Sequence, residues 1–509
     1  MVRSSVARGS AYTNAYRPSV RPAAAPPSFV LTDEQDAALG AFTQGEGMVL
    51  EALAGTGKTS TLKVLANSTT RSGLYLVYNK AGAVEAEGAF PSTTACSTVH
   101  SLAYRSTVTP KIRLRLNTPR QTSGDIAKIL GIRSSLQIGP KRVLAAAQLA
   151  RLAIETVSMF AHSADRAILG KHVPEQVGVT PGQEQANLEA AVLPFARAAW
   201  KDLLSKTGSL KFDHDHYVKL WQLSEPVLKT DYVLVDECQD SNPVVVDVIN
   251  RQRDVQVVAV GDSRQQLYGW RGSVDALDAF GASSRLYLTQ SFRFGPSIAA
   301  EANKWLAIMG DDIEVRGTPS IKSRVAPLEA PSAVLCRTNA GVIQHVMAGQ
   351  RGGQKVAIVG GGQDVKRLAG AAKQLKDSGK TWHPDLCMFT SWSSVQDYVE
   401  EDFGGQDLKT LVNLVDTYGA GSIIRAVDAA VPEQSAAIVV STVHKAKGRE
   451  WPKVLIADDF SEPRTDEFGV REDVASEDAM TAYVAVTRAQ HVLDVGGLSW
   501  VDAHLAATK

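Results

Sequence analysis

Short, uninterrupted runs of apolar and β-branched residues recur along the chain between longer stretches of helix-like spacing. Met48-Val49-Leu50, Leu74-Tyr75-Leu76-Val77, Tyr232-Val233-Leu234-Val235 and Val255-Gln256-Val257-Val258-Ala259-Val260 form a first series. Ala333-Val334-Leu335, Val356-Ala357-Ile358-Val359, Ile438-Val439-Val440, Val454-Leu455-Ile456-Ala457 and Val492-Leu493-Asp494-Val495 form a second. The runs lack the sustained alternation of half-exposed strands. Strands covered by helices on both faces read this way, and such strands are parallel. An α/β fold with two parallel-sheet cores is expected.

The spacing of these runs divides the chain. Residues 29–103 and 211–285 supply the first core, and residues 286–361 and 435–509 the second. Between the halves of the first lies a stretch, 104–210, rich in Ala, Leu, Arg and Gln, which reads as a helical insertion with loop signals near Gly178–Gly182. A smaller insertion, 362–434, interrupts the second core; it holds Trp382, Trp392 and the run Glu400-Glu401-Asp402, read as a solvated face. Gly360-Gly361-Gly362 reads as a turn. A total of 509 residues accommodates this many units at about 100–200 residues each. Residues 1–28 carry Arg3, Arg8, Arg17 and Arg21 with no acid, amid Ala, Ser and Pro, and read as a flexible basic tail.

Composition narrows the function only a little. Hydrophobic residues at 44% and charged residues at 21% exclude wholesale disorder. The net charge is zero, so any nucleic-acid binding must come from a local groove with its own cations and aromatics. Cys96, Cys238, Cys336 and Cys387 are dispersed without C-x-x-C spacing, which speaks against zinc and against a disulfide framework and for a reducing, intracellular setting. No apolar run approaches the ~20 residues that cross a bilayer, so no membrane association is expected.

The chemistry begins at Gly55-Thr56-Gly57-Lys58-Thr59, between the Met48 run and a helix-like stretch, the context a phosphate-binding loop requires. Backbone amides from Ala54 through Ser60 would face a polyphosphate, Lys58 would neutralise β/γ oxygens, and the Thr59 hydroxyl would hold Mg²⁺. Ala52 stands where the general pattern has its first glycine. The Tyr232 run ends in Asp236-Glu237-Cys238-Gln239-Asp240, which puts two carboxylates at the carboxyl edge of a parallel sheet. Asp236 is the candidate metal ligand alongside Thr59, and Glu237 the candidate base for an attacking water.

With those residues in place the chain resembles the UvrD/Rep family of superfamily 1 helicases. Asp-Glu-x-Gln-Asp at 236–240 looks like the family's second motif, and Leu31-Thr32-Asp33-Glu34-Gln35 like its Q motif. Gly261-Asp262-Ser263-Arg264-Gln265-Gln266-Leu267-Tyr268-Gly269-Trp270-Arg271-Gly272 and Leu288-Thr289-Gln290-Ser291-Phe292-Arg293 match the third and fourth. Ser441 to Trp451 and Tyr483 to Ala489 resemble the fifth and sixth. Asn79-Lys80 and the Phe212–Leu223 stretch look nearest to the F-box DNA helicase branch, although no F-box-like segment is seen in the N-terminal tail.

The resemblance implies two RecA-like P-loop cores, each interrupted by an inserted subdomain, with ATP and Mg²⁺ in the cleft between them. It implies that Gln35 reads the adenine edge, Phe292 stacks on the base, Glu450 contacts the ribose and Gln265 senses the γ-phosphate. Arg293 and Arg488 would neutralise the transferring phosphoryl group from the second core. Tyr268 and Trp270 would stack on bases of a single strand, with Asn79, Lys80, Thr98, His100, Arg271, Thr442 and His444 along its backbone. The implied partners are single-stranded DNA and single/double-strand junctions, the implied travel 3′ to 5′, and the setting DNA repair, recombination or replication, in the cytoplasm or nucleoid, or in a nucleus. Two other functions stay open: a translocase that strips proteins from single strands with little unwinding, and a nucleotide-gated DNA-binding scaffold. Asp213-His214-Asp215-His216 could place metal ligands on one side of a strand, but reads more easily as an acidic helix N-terminus.

Overall fold

The computed structural model describes residues 30–507 apart from 78, 120, 140–141, 177–181, 268–275, 382, 384–385, 388, 402–405 and 465–470. The basic tail, Tyr268, Trp270, Arg271, Trp382, Asp402 and most of the Gly178–Gly182 loop lie outside the described residues.

Fourteen strands are described. In chain order they are β1 (Met48–Ala52), β2 (Gly73–Leu76), β3 (Thr94–Ser97), β4 (Leu136–Gly139), β5 (Arg142–Leu144), β6 (Tyr232–Val235), β7 (Gln256–Gly261), β8 (Ser284–Leu288), β9 (Arg324–Val325), β10 (Ala333–Cys336), β11 (Val356–Ile358), β12 (Ile438–Thr442), β13 (Trp451–Ile456) and β14 (Ala489–Asp494). Two parallel six-stranded sheets result, ordered β3-β2-β6-β7-β1-β8 and β11-β12-β10-β13-β14-β9. These are the two RecA-like cores of an α/β fold. β1, β2, β6 and β10 are buried at every position, as their apolar runs demand.

β6, β7, β1 and β8 lie side by side and parallel, so their carboxyl ends open on one edge. That edge delivers Asp236, Asp262, the phosphate-type loop and the 289–293 segment to a common place, which is where ligands of parallel sheets bind. Helix Lys58–Asn67 starts at Gly57 and points its N-terminus into the same edge. Helix Asp33–Thr43 is fixed by a reciprocal cap: the Gln35 amide donates to Thr32 Oγ1, and the Thr32 amide to Gln35 Oε1.

Between β3 and β6 run long helices, among them Ala146–His162, Gln183–Leu204 and His214–Leu223, together with the antiparallel β4–β5 hairpin. Phe160, Leu203, Phe212, Tyr217 and Trp221 form their core and enclose Val244 and Val248 of helix Pro243–Asn250, which ties this layer to the first sheet. The hairpin was not expected in a stretch that reads as helical. Each of its strands is too short to display a period.

The segment after β11 turns through Gly360, Gly361 and Gly362, all at positive φ. Its helices Gln363–Ser378, Trp392–Glu401, Gln406–Tyr418 and Ala420–Asp428 pack Leu375, Val395, Leu411, Val415 and Ile423 into one cluster with Val334, Ile358 and Val440 of the second sheet.

Candidate functional site

The loop from Leu53 to Gly57 crosses beneath the segment that leaves β8. The Phe292 amide donates to the Gly55 carbonyl at 2.8 Å. Gly55 sits at φ +74°, and a Cβ there would fall 2.5 Å from Ser291 Oγ and 2.7 Å from Arg293 Cβ, so only glycine fits. Lys58 Nζ folds back over the loop and donates to the Ala52 carbonyl at 3.1 Å. Asp236 is buried, and its Oδ2 receives Thr59 Oγ1 at 2.9 Å and Tyr75 OH at 2.6 Å, while Oδ1 receives the Glu237 amide. Burial, and next the charge on Glu237, push the Asp236 carboxyl above its ordinary range. Burial also works to raise Glu237, but the nearby ammonium groups of Lys58 and Lys447 overcome it and hold Glu237 below its ordinary range. Glu237 is thus held in its ionised form, able to accept a proton, whereas Asp236 must lose its proton before it can hold a metal. Its backbone is left-handed, at φ +51°, and Gln239 Nε2 donates to its carboxylate and orients it.

Thr59 Oγ1 and Asp236 Oδ2, 2.9 Å apart, are the groups that would hold a Mg²⁺ here. Among the described residues no group of three or more His, Cys, Asp or Glu could hold a metal by itself.

The opposite wall comes from the second core. Arg488 is the last residue before β14 and is 1% exposed. Its Nη2 donates to Gln265 Oε1 and Thr487 Oγ1, each at 3.0 Å, and its Nε to the Val484 carbonyl at 2.9 Å. Burial, and then the like charge of Arg293, bring its pKa down to about 9. Arg293 Nε donates to Glu450 Oε2 at 2.6 Å and its Nη1 to the Thr487 carbonyl at 3.0 Å. The cores also touch elsewhere along the seam. Tyr483 OH accepts from the Ala54 amide at 3.2 Å, and Lys447 Nζ donates to both oxygens of Asp240, at 2.9 and 2.7 Å, and to the Gln265 carbonyl at 2.9 Å. Leu53, Ala54 and Leu267 are buried in one apolar cluster with Phe294, Ala302 and Tyr483. Lys58, Asp236 and Glu237 thus line one wall of a seam and Arg488 the other, while Arg293, on the segment that leaves β8, bonds across to Glu450 and Thr487 of the second core.

Two family descriptions match this chain: the UvrD-like helicase C-terminal domain over residues 388–496 and an AAA domain over residues 35–271. Among curated proteins it is 29% identical to F-box DNA helicase 1 of Gallus gallus, over 91% of this chain and 48% of that protein. The chain is similar to UvrD-like helicases along most of its length. F-box DNA helicase protein 1 of Schizosaccharomyces pombe is 28% identical over 88% of this UvrD-like chain and 55% of its own length. The chain therefore spans about half the length of these curated relatives. A solved structure titled as a complex of Arterivirus nonstructural protein 10 (helicase) with DNA aligns over 90% of this chain and 62% of that one, at 12% identity and a TM-score of 0.29.

In this UvrD-like chain the other candidates fall into two groups. Around the phosphate loop, Gln35 is buried and donates through Nε2 to Thr61 Oγ1 at 3.1 Å. Phe292 is 47% exposed, and its ring faces the position a Cβ on Gly57 would take. Glu450 stands just before β13, paired with Arg293. Thr56 is buried, Thr59 exposed and Ser60 half-buried. Away from the loop, Asn79, Thr98 and Thr442 are each the N-cap of a helix, with their side-chain oxygens accepting from Gly82, Ser101 and Lys445 amides. Lys80 is exposed beside its cap. Thr98 directly follows β3 and Thr442 ends β12, so each caps a helix that opens from the end of a core strand. His100 is exposed, and burial lowers the pKa of His444. One cavity is lined both by His100, His162 and Asp215 and by Glu237 and Asp240, which brings a candidate strand contact close to the acid pair.

Asp213 is the N-cap of helix His214–Leu223, and its amide donates to His216 Nδ1 at 2.9 Å; the cap comes from the histidine ring rather than from the Asp213 carboxylate. Four residues of the seam were not singled out from the sequence: Tyr75 on Asp236, Lys447 on Asp240, Tyr483 on Ala54, and Arg264. Arg264, Lys447 and Tyr483 lie inside quoted motifs, so their position was visible and their partners were not.

Proposed function

We propose that this chain is an ATP-dependent single-stranded DNA translocase and DNA helicase that travels 3′ to 5′ and unwinds single/double-strand junctions inside the cell. The observation that carries the reading is the seam itself: the phosphate-type loop with Lys58 and the Asp236–Glu237 pair on one wall, and from the other a buried Arg488 that bonds Gln265 of the first core. Lys58 neutralises the terminal phosphates, Glu237 takes the proton of the attacking water, and Arg488 and Arg293 stabilise charge on the transferring phosphoryl group. Thr59 and Asp236 would hold Mg²⁺, which would supply further charge neutralisation. Phe292 stacks on the adenine with Gln35 at its edge, and Glu450 takes the ribose. Because Gln265 contacts Arg488 and lies a few residues before Tyr268 and Trp270, γ-phosphate occupancy is transmitted to the stacking platform, and cleft opening and closing ratchets the strand past Thr98, His100, Thr442 and His444.

The test is single-strand-stimulated ATPase together with strand displacement on duplexes carrying a 3′ or a 5′ tail. Unwinding restricted to 3′-tailed duplexes is expected. Glu237→Gln should lower turnover by about 10²–10⁴ while nucleotide binding persists. Turnover unchanged by Glu237→Gln would remove the assigned base. Stripping of bound protein without strand displacement would favour the translocase that does not unwind, and ATP binding without turnover the nucleotide-gated scaffold.

A further inference from the structure

Arg264 lies one residue before Gln265, in the 3₁₀ turn Ser263–Gln265 that follows β7, and its guanidinium is clasped from two directions. Nη1 donates to Glu51 Oε1, on β1 of the first core. Nε and Nη2 donate as a fork to the two oxygens of Asp311, which follows helix Pro296–Ile308 of the second core. The three side chains are only 11%, 5% and 16% exposed. Glu51 has further partners, Ser263 Oγ at 3.0 Å and Arg285 Nη1 at 2.9 Å. The turn is held elsewhere too: Asp262 Oδ1 accepts the Arg264 amide, and the Asp262 amide donates to Gln239 Oε1 at 3.1 Å.

The location matters as much as the contacts. Asp311 stands on the short stretch that leads to Arg316, and this stretch runs beside the place where the chain crosses from the first core to the second. There the Ser291 amide donates to the Arg316 carbonyl at 2.7 Å, and the Arg316 amide to the Thr289 carbonyl at 2.8 Å. A contact close to the covalent crossover moves least when two domains rotate about it, so it can survive opening and closing where contacts farther along the seam cannot. A buried fork also fixes orientation in a way an apolar contact of equal size does not. The ordinary alternative is a packed charge cluster that only stabilises the fold.

We propose that Arg264 is the pivot of the cleft. It is a positioning residue whose guanidinium, shared by Glu51 of the first core and Asp311 of the second, keeps Gln265 aligned with Arg488 as the cores swing. This rests on the ATP-driven reading above. Loss of the pivot lowers the fraction of molecules whose cleft is aligned for nucleotide and leaves the groups that act in the closed state intact, so the effect falls on KM for ATP rather than on kcat.

The experiment uses the full chain with Asp311→Ala, Arg264→Met, the double variant and Arg264→Lys, following DNA-stimulated ATPase and thermal melting. Each single change is expected to raise KM for ATP about five- to tenfold with kcat within about twofold. The double variant should be no worse than either single, because both remove one shared contact. Arg264→Lys, which keeps the charge and loses the fork, should fall between. Arg285 still balances Glu51 in Arg264→Met, so that variant retains a partner for the buried carboxylate. Penalties that multiply in the double variant, a fall in kcat with unchanged KM, or lower melting temperatures with wild-type kinetics would each overturn the pivot. An unaltered chain that hydrolyses no ATP would instead overturn the ATP-driven reading. The pivot would then be decided by energy transfer between one dye on each core, where a distance distribution unchanged by Asp311→Ala refutes it and a broadened one supports it.

Discussion

Lys447→Met isolates what holds the two cores together at the acid-pair end of the seam. Lys447 and Asp240 are 11% and 4% exposed, and the ammonium contacts both carboxylate oxygens. Methionine preserves most of the length and volume and removes the charge, leaving the Asp240 side chain buried without its paired ammonium. Breaking a buried pair from one side costs about 3–5 kcal/mol. The fold has one escape, which is to protonate the carboxyl, and that caps the penalty at about 1.4 kcal/mol for each pH unit above the unfolded value near 3.9. The cap is about 5 kcal/mol at pH 7.5 and about 2 kcal/mol at pH 5.5. The sign follows from the direction of the shift. Burial, only partly offset by Lys447, already raises Asp240, and removing Lys447 raises it further. The folded state then binds more protons than the unfolded one between the unfolded pKa and the raised folded pKa, so stability falls as pH rises through that window. Melting of Lys447→Met should therefore be depressed more at pH 7.5 than at pH 5.5, by roughly 6–12 °C if about 3 kcal/mol separates the two conditions and one core of about 150–250 residues melts as a unit, and by about 3 °C if the whole chain melts together. Lys447→Met with Asp240→Asn should recover most of the loss at pH 7.5. An equal depression at both pH values, or no recovery in the double variant, would refute the buried-pair argument.

Gly55→Ala should cost about 1–3 kcal/mol through its positive φ alone, and its Cβ also meets Ser291 Oγ and Arg293 Cβ, so nucleotide binding should fall steeply in a fluorescent-nucleotide titration. Tyr75→Phe removes the 2.6 Å hydrogen bond that favours ionised Asp236. Because Asp236 must be ionised to hold Mg²⁺, the acid limb of the Mg²⁺-dependent ATPase profile should move to higher pH, and an unmoved limb would dissociate Tyr75 from the metal ligand.

The architecture was legible where burial on both faces forces apolar runs. β6 lies where Tyr232–Val235 reads as a strand, and β1, β2, β7 and β10 to β14 fall on the other expected runs within a few residues. Edge strands escaped notice for the converse reason. β8 is Ser-Arg-Leu-Tyr-Leu with alternating exposure, and β3 is Thr-Ala-Cys-Ser, so neither needs an unbroken apolar stretch. The phosphate loop and the acid pair were legible because their chemistry is contiguous: Gly55 to Thr59 and Asp236 to Asp240 each put the needed groups within one turn of chain.

The seam is harder to read, because each of its links joins residues far apart in sequence. Lys447 reaches Asp240, Tyr483 reaches Ala54, and Arg264 reaches both Glu51 and Asp311. Glu51 illustrates the difficulty most sharply. In sequence it is a carboxylate inside an apolar strand, between Leu50 and Ala52, and nothing local explains why it should be buried. Its burial becomes tolerable only when Arg264 and Arg285 arrive from β7 and β8, because a buried charge needs partners that saturate it. A lone acid in an otherwise apolar central strand is therefore a signal that distant cations converge on it, and here one of those cations also binds the second core.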